Sequence, residues 1–535
     1  MLLVLVLLSA SFVSASSITV LSVSEGDSRS GGTATVHLET RPGSGSVYID
    51  SFPLTRLDTQ ISMRFARDYA CSLAEVDCSR RDFFYTLRAP TSIIGGPSAG
   101  AAMSVLAYAH LSGLSLDEST AMTGTVNAGG LIGPVGGIEE KVVAAREAGF
   151  SRVLVPAFDE EVSVDGVEVI RVIDVEDAIF YFTGEDVRSP PADIVVPDAY
   201  RAQMERVASQ LCDRADSLSA TVNASNSSRD FLTRASVASA QTDFYSAASF
   251  CFSANLDLQR RHFEDKPQSE LRAIVRQLRE DISSFDDEVS SYEVSTIADL
   301  EIFMVVRERL VESFDTLEAE DMSNLSSSRV AFALERFSSA RAWSSFLGQV
   351  PSREIDLSDE QLRMSCSQRV AEAQERLNYV QFLLDSPLDD TRQVVSNALE
   401  DQRQGEWALC LFKATKAKAE ADSVITAVSA GANLNETVRR QREKAQGALA
   451  AQSARGNFPI ISYAYYEYSG SVDDVFSANL YSSYALELAN LGIYSPASQG
   501  SGLYVDYGRV VVLIGGLLIG TLLGILISLF VWRRK

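Results

Sequence analysis

The rhythm of apolar positions changes once along this chain, near residue 189. Before that point, short alternating runs and short apolar runs follow one another, as in a domain of strands and helices. Residues 33–39 and 46–49 alternate as strands, separated by a Gly/Pro turn at 42–45. Helical spacing follows over 57–73, and 83–87 reads as another strand. After Gly95-Gly96-Pro97 a helix of small residues is predicted over 98–111. A strand near 122–126, a helix over 138–148, strands at 152–155 and 167–172, and a short helix at 175–182 complete an α/β pattern. Ser189-Pro190-Pro191 marks a boundary. Beyond it Leu271, Ile274, Leu278, Ile282 and Phe285 recur at helical spacing, as do Val370, Ala373, Leu377, Val380 and Leu384. Each set is a stripe that must be buried against a partner. Residues 192–455 therefore read as a helical bundle or stalk, and the following stretch is rich in Tyr. There is no 20–50-residue repeat.

Both ends are apolar. Residues 1–15 form an apolar run closed by the small residues Val13-Ser14-Ala15, the pattern of a signal peptide, although no positive charge precedes it. Residues 510–532 are 23 positions without a charge, which at ~1.5 Å per helical residue reach ~34 Å, enough for a bilayer core. Arg509 precedes this run and Arg533-Arg534-Lys535 follows it, so the C-terminus is expected to face the cytoplasm. The organisation predicted is thus a leader (1–15), an α/β domain (16–187), a helical domain (188–457), a Tyr-rich juxtamembrane region (458–508) and an anchor with a basic tail (509–535). The localisation expected is a single-pass cell-membrane protein whose bulk is extracytoplasmic.

Composition fits that reading. Apolar residues make up 46% and charged residues 22%, as in globular proteins. The 71 acidic against 47 basic residues give a formal charge of −24, which argues against a nucleic-acid partner. The six cysteines fall as near pairs, Cys71 and Cys78, Cys212 and Cys251, Cys366 and Cys410. Fifteen connectivities are open, of which neighbour pairing is the simplest. Asn223, Asn226, Asn324 and Asn435 head Asn-x-Ser/Thr sequons usable outside the cell.

The candidate chemistry begins with exclusions. The three histidines are His37, His110 and His262. His110 sits on the same predicted helix as Ser98, about 18 Å along its axis at ~1.5 Å per residue, so a Ser-His-Asp arrangement there is out of reach. There is no H-E-x-x-H and no G-x-x-x-x-G-K-[ST], hence no zincin site, no P-loop, and no metal or cofactor expected. In Gly95-Gly96-Pro97-Ser98-Ala99-Gly100 the glycines allow a tight turn and Pro97 suits a first helical turn. Ser98 then stands where free N–H groups favour negative charge. That suits a nucleophile with an oxyanion site, and equally an N-cap serine or an anion-binding loop. Lys141 lies on the apolar line of its own helix, between Ile138 and Ala144. Burial there would favour the neutral amine a serine needs as proton acceptor. The alternative is a lysine that snorkels to water.

The stretch 96–156 resembles the proteolytic domain of the Lon family (S16), peptidases with a Ser–Lys dyad. The likeness rests on three blocks in order: GPSAG at 96–100, AMTG at 121–124, and IGPVGGIEEKVVAAREAGFSRVLVP at 132–156. It implies Ser98 as nucleophile, Lys141 as general base, Thr123 beside the lysine amine, and supporting roles for Gly96, Pro97, Ala99 and Gly137. The sequence departs from many members at Thr125, where Glu is common, and at Ile94-Gly95, where Lys-Asp is common. It also lacks the usual ATPase module. The expected fold class is an α/β Lon-type proteolytic domain followed by an α-helical domain and one C-terminal transmembrane helix. The expected function is a membrane-anchored, ATP-independent serine endopeptidase that cuts peptides or unfolded segments. Gly516, Gly520 and Gly524 in the anchor, and the ring habit of the family, point to a homo-oligomer. A catalytically silent surface protein that keeps the domain for assembly, and a self-processing ectodomain, are the competing readings.

Overall fold

Alternation along the N-terminal third builds one mixed sheet. Its strands are β1 (Ser16–Val23), β2 (Gly31–Pro42), β3 (Val47–Thr55), β4 (Arg81–Ile94), β5 (Thr120–Met122), β8 (Arg152–Pro156) and β9 (Glu168–Val172). The order is β3-β4-β2-β1-β5-β8-β9. β6 (Thr125–Val126) and β7 (Ile132–Gly133) form a separate small ribbon. The computed structural model describes residues 16–491 except 24–29, 56, 79, 95–96, 158–160, 189–192, 353, 355–358, 385–387, 431–433 and 490. The leader expected at 1–15 and the anchor expected at 510–532, with its glycines, lie outside the described residues. Among the described residues, no helix is long and apolar enough to cross a membrane.

Period-two alternation sends neighbouring side chains to opposite faces of the sheet. Val20, Met122 and Leu154 join one core, with α1 (Leu57–Leu73), α2 (Gly100–Ser112) and α4 (Val175–Thr183). Leu21, Ala121, Val153 and Val155 join the other, with Ile138, Val142 and Ala145 of α3 (Ile138–Glu147). The nucleophile candidate and the lysine helix thus belong to different layers.

Four details differ from the pattern reading. β1 was not predicted; it pairs with β2 over its full length. The strands at 33–39 and 46–49 are not neighbours, because β4 lies between them, antiparallel to β2 and parallel to β3. The turn at 42–45 wraps instead around Asp82, whose carboxylate accepts from the amides of Ser44 and Ser46 at 2.7 and 2.9 Å. The strand expected at 122–126 breaks at Thr123-Gly124, where the chain leaves the sheet for the ribbon. Pro97–Ala99 forms a 3-10 turn before α2 begins at Gly100.

The remaining helices are α5 (Asp198–Ser219), α6 (Asn226–Ala240), α7 (Phe244–Glu264), α8 (Gln268–Ser290), α9 (Ile297–Glu318), α10 (Ser327–Ser344), α11 (Asp359–Leu384), α12 (Asp389–Gln404), α13 (Trp407–Ala430), α14 (Leu434–Ala454), α15 (Ile460–Ser471) and α16 (Val475–Ala489). The two predicted stripes are buried or half-buried in their shared core, except Leu384, which is exposed. The described part of the Tyr-rich stretch forms α15 and α16 within that body: Tyr465 stacks on Tyr481, and Tyr468 meets the same ring edge-on. The body does not project as a stalk. It closes on the α/β domain, where Leu131 packs with Ala445, Ala485 and Leu486. There Lys444 also pairs with Asp174 at 2.8 Å and Glu176 at 2.9 Å.

Three disulfides join Cys71 to Cys78, Cys212 to Cys251, and Cys366 to Cys410. They tie α1 toward β4, α5 to α7, and α11 to α13. Asn223, Asn226, Asn324 and Asn435 are all exposed.

Candidate active site

β4 delivers the chain to the turn that carries Ser98. Pro97 is buried and Ser98 half-exposed, beside a small cleft lined by Thr59, Met63, Leu87, Ala99 and Met103. Gly96 lies outside the described residues. Gly100 must be glycine for want of space: a Cβ there would stand 2.9 Å from Val126 Cγ1, closer than real contacts allow. The segment after β5 is stitched to this turn. The Gly124 amide donates to the Ser98 carbonyl at 2.8 Å, and the Ala101 amide donates to the Gly124 carbonyl at 3.1 Å.

Thr123 has no exposed surface. Its amide donates to the Leu154 carbonyl at 3.1 Å, which fixes the residue to β8. Its hydroxyl donates to the Ser98 carbonyl at 3.4 Å.

Lys141 comes from the opposite layer. Gly137 starts α3 with φ of 66°, a left-handed value favouring glycine, and a Cβ would press on Val23 at 3.1 Å. Ile138, Val142 and Ala145 sink into the sheet. Lys141 is 2% exposed, so it does not snorkel. Its Nζ donates to Thr123 Oγ1 at 3.2 Å. Gly31 lets α3 approach, since a Cβ there would lie 1.9 Å from the Glu140 carbonyl oxygen.

Ser98, Thr123 and Lys141 are therefore linked through one hydroxyl. The Thr123 hydroxyl ties the Lys141 amine to the Ser98 main chain, and an amine in its neutral form keeps a lone pair that can accept a proton. The histidines lie elsewhere. The His110 ring bonds to Ser16 Oγ and Thr40 Oγ1, both at 3.0 Å, with burial holding its pKa below the ordinary value. His37 is on β2 and His262 on α7. Among the described residues no group of three His, Cys, Asp or Glu is placed to hold a metal.

Residues 87–171 match the Lon protease (S16) C-terminal proteolytic domain. This Lon-type stretch takes in Ser98, Thr123 and Lys141. The chain is 55% identical over 62 residues to the Lon protease of Methylocella silvestris, covering 12% of this chain and 8% of that protein. It is 35% identical over 82 residues to Lon protease 2 of Bacillus subtilis, 15% of each. Lon protease 1 of Herpetosiphon aurantiacus gives 34% over 122 residues, 21% of this chain and 15% of that one. The chain thus spans no more than about a sixth of these relatives' length, and the helical body lies beyond the Lon-type match.

Two residues that touch the Lon-type segment were not singled out in the sequence. Arg376 donates through Nη2 to the Val126 carbonyl at 2.8 Å, and Tyr379 through its hydroxyl to the Pro134 carbonyl at 2.9 Å. Both come from α11. The available signal was an arginine set among the apolar positions of the Val370–Val380 stripe.

Proposed function

We propose that this chain is a Lon-type serine endopeptidase with Ser98 as nucleophile and Lys141 as general base. The observation that carries the reading is the buried Lys141 amine bonded to Thr123, whose hydroxyl also reaches the Ser98 carbonyl. Burial of an amine disfavours its charged form.

In this mechanism the Lys141 lone pair takes the proton from Ser98 Oγ as that oxygen bonds to a peptide carbonyl carbon. The carbonyl π electrons move to oxygen, and backbone amides beside Ser98 hold the negative charge. The C–N bond then breaks, its nitrogen takes the proton from the Lys141 ammonium, and an acyl-serine remains. Lys141 next deprotonates a water as it attacks the ester carbonyl; the ester C–O bond then breaks, Ser98 Oγ takes the proton back from the Lys141 ammonium, and a carboxylic acid is released.

The proposal extends to setting. Three disulfides and four exposed sequons suit an oxidising, extracytoplasmic compartment. The apolar run at 510–532 would anchor the chain with its tail in the cytoplasm. There the enzyme would act without ATP on peptides and unfolded segments. The purified chain should cleave fluorescein-labelled casein in nucleotide-free buffer, and Ser98→Ala should abolish cleavage while leaving far-UV circular dichroism unchanged. Undiminished cleavage by Ser98→Ala would sink the reading.

A further inference from the structure

The β6–β7 ribbon has two residues in each strand. A hairpin this short does not hold its own position, yet both of its ends lead to the site. One end follows Thr123-Gly124, and the other leads through Pro134 to the glycines that start the lysine helix. Something outside the ribbon must fix it.

We infer that α11 is a positioning element of the dyad: Arg376 and Tyr379 clamp the two limbs of the ribbon and thereby help seat Thr123 and Lys141 near Ser98. This rests on the peptidase reading above. Arg376 and Tyr379 are spaced i, i+3 and share one face of α11. Arg376 grips the outgoing limb at the Val126 carbonyl, and Tyr379 the returning limb at the Pro134 carbonyl. Neither bond reads side-chain identity in the ribbon. Both set where its backbone lies.

The clamp is itself held. Arg376 Nε pairs with Asp422 Oδ1 of α13 at 3.0 Å, and both side chains are buried. Asp422 also lies 3.5 Å from Lys418 Nζ, and Lys418 pairs with Glu487 of α16. The Cys366–Cys410 disulfide joins α11 to α13. A displacement of the helical core therefore reaches Val126 through Arg376. From Val126 it passes two residues back to Gly124, whose amide holds the Ser98 carbonyl. Gly100 leaves little slack, because even a Cβ there would stand 2.9 Å from Val126 Cγ1. The helical body is thus a working part of the site rather than a spacer.

The test uses the full chain and three variants: Tyr379→Phe, Arg376→Lys and Arg376→Ala. The readouts are the rate of Ser98 acylation by a fluorophosphonate probe as a function of pH, hydrogen exchange over 123–134, and Tm. Tyr379→Phe removes one hydroxyl and should stay folded. It should slow acylation about 5-fold, the scale of one lost hydrogen bond. Arg376→Ala should slow it about 100-fold, the scale of a small misplacement of reacting groups, and Arg376→Lys should recover part of that. In the folded variants the pH profile should move, because the general base loses its seat, and exchange over 123–134 should quicken. Parental rate, pH profile and exchange in Tyr379→Phe and Arg376→Lys overturn the clamp. So does a rate loss that merely tracks the unfolded fraction. A parent chain that the probe does not label removes the peptidase reading instead, and unchanged exchange over 123–134 then overturns the clamp independently.

Discussion

Lys141 Nζ and Thr123 Oγ1 lie 3.2 Å apart, both buried, although one comes from a helix beneath the sheet and the other from the end of its shortest strand. The hydroxyl accepts from the amine and donates to the Ser98 carbonyl, so it ties the amine to the backbone of Ser98. Thr123→Val keeps the shape and removes both bonds. It should lower the acylation rate about 100-fold, the lower end of the range found for removal of one site donor. Thr123→Ser should stay within about 3-fold of the parent, since one hydrogen bond is worth only ~1 kcal/mol even if weakened. Equal rates for Val and Ser at this position would show that the hydroxyl has no part in the chemistry.

Lys141→Met separates catalysis from stability. Methionine fills much of the same channel without an amine. Burial of a lysine amine costs free energy that an apolar chain avoids. The variant should therefore be inert toward a fluorophosphonate, with a Tm equal to or above the parent value. A labelled Lys141→Met protein would mean that another group activates Ser98.

Much of this arrangement was legible in the sequence because its signals are local. Gly-Gly-Pro-Ser punctuates a strand-to-helix turn, and a lysine on an apolar helical line announces burial. The α/β alternation over 33–182 follows from period-two and helical spacing alone. What was not legible depends on partners far apart in the chain. β1 is read as a strand only once β2 lies against it. The order β3-β4-β2 places β4, later in the chain than both, between its two neighbours, and Asp82 accepts from the amides of the 42–45 turn there. The break after Met122 sits at a close approach between distant positions: a Cβ on Gly124 would stand 2.6 Å from Ile132 Cγ2. Arg376 and Tyr379 lie 250 and 245 positions from their acceptors, and no periodicity connects them. The closure of the helical body onto the α/β domain was invisible for the same reason.

Gly31 tests whether the approach of α3 to the sheet matters. Its Cβ would meet the Glu140 carbonyl oxygen at 1.9 Å and Ala144 Cβ at 2.8 Å. A backbone oxygen cannot swing aside, so α3 must move as a unit. Gly31→Ala should destabilise the chain by about 1–3 kcal/mol, the usual cost of overpacking. Glu140 directly precedes Lys141, so the rate of Ser98 acylation should fall as well, even in the folded fraction. Denaturant unfolding together with active-site labelling measures both, and a parental value for each would refute the packing argument.

Glu301 predicts how stability depends on pH. It lies on α9, 1% exposed, and accepts from the Ile461 amide at the start of α15 at 2.9 Å. Burial raises its carboxyl to about 8, against the opposing pull of the Ile461 and Ile460 amides. An unfolded glutamate releases its proton near 4.3. Between that value and about 8 the folded chain holds a proton that the unfolded chain has lost. Stability from this group is therefore full below the lower value and is lost as pH rises through the upper one. Glu467, also raised to about 8 chiefly by burial, acts with the same sign. Other carboxylates, such as Glu308, are held below the ordinary value and tilt the total the other way. The informative quantity is thus the difference between parent and variant. Glu301→Gln keeps an acceptor for the Ile461 amide and cannot ionise. The Tm of the parent relative to Glu301→Gln should drop by a few degrees between pH 5 and pH 8, since linkage removes about 4 kcal/mol over that window against an unfolding entropy of about 1 kcal/mol/K in a chain this size. Parallel Tm curves for the two proteins across that window would show that the carboxyl is not held protonated in the fold.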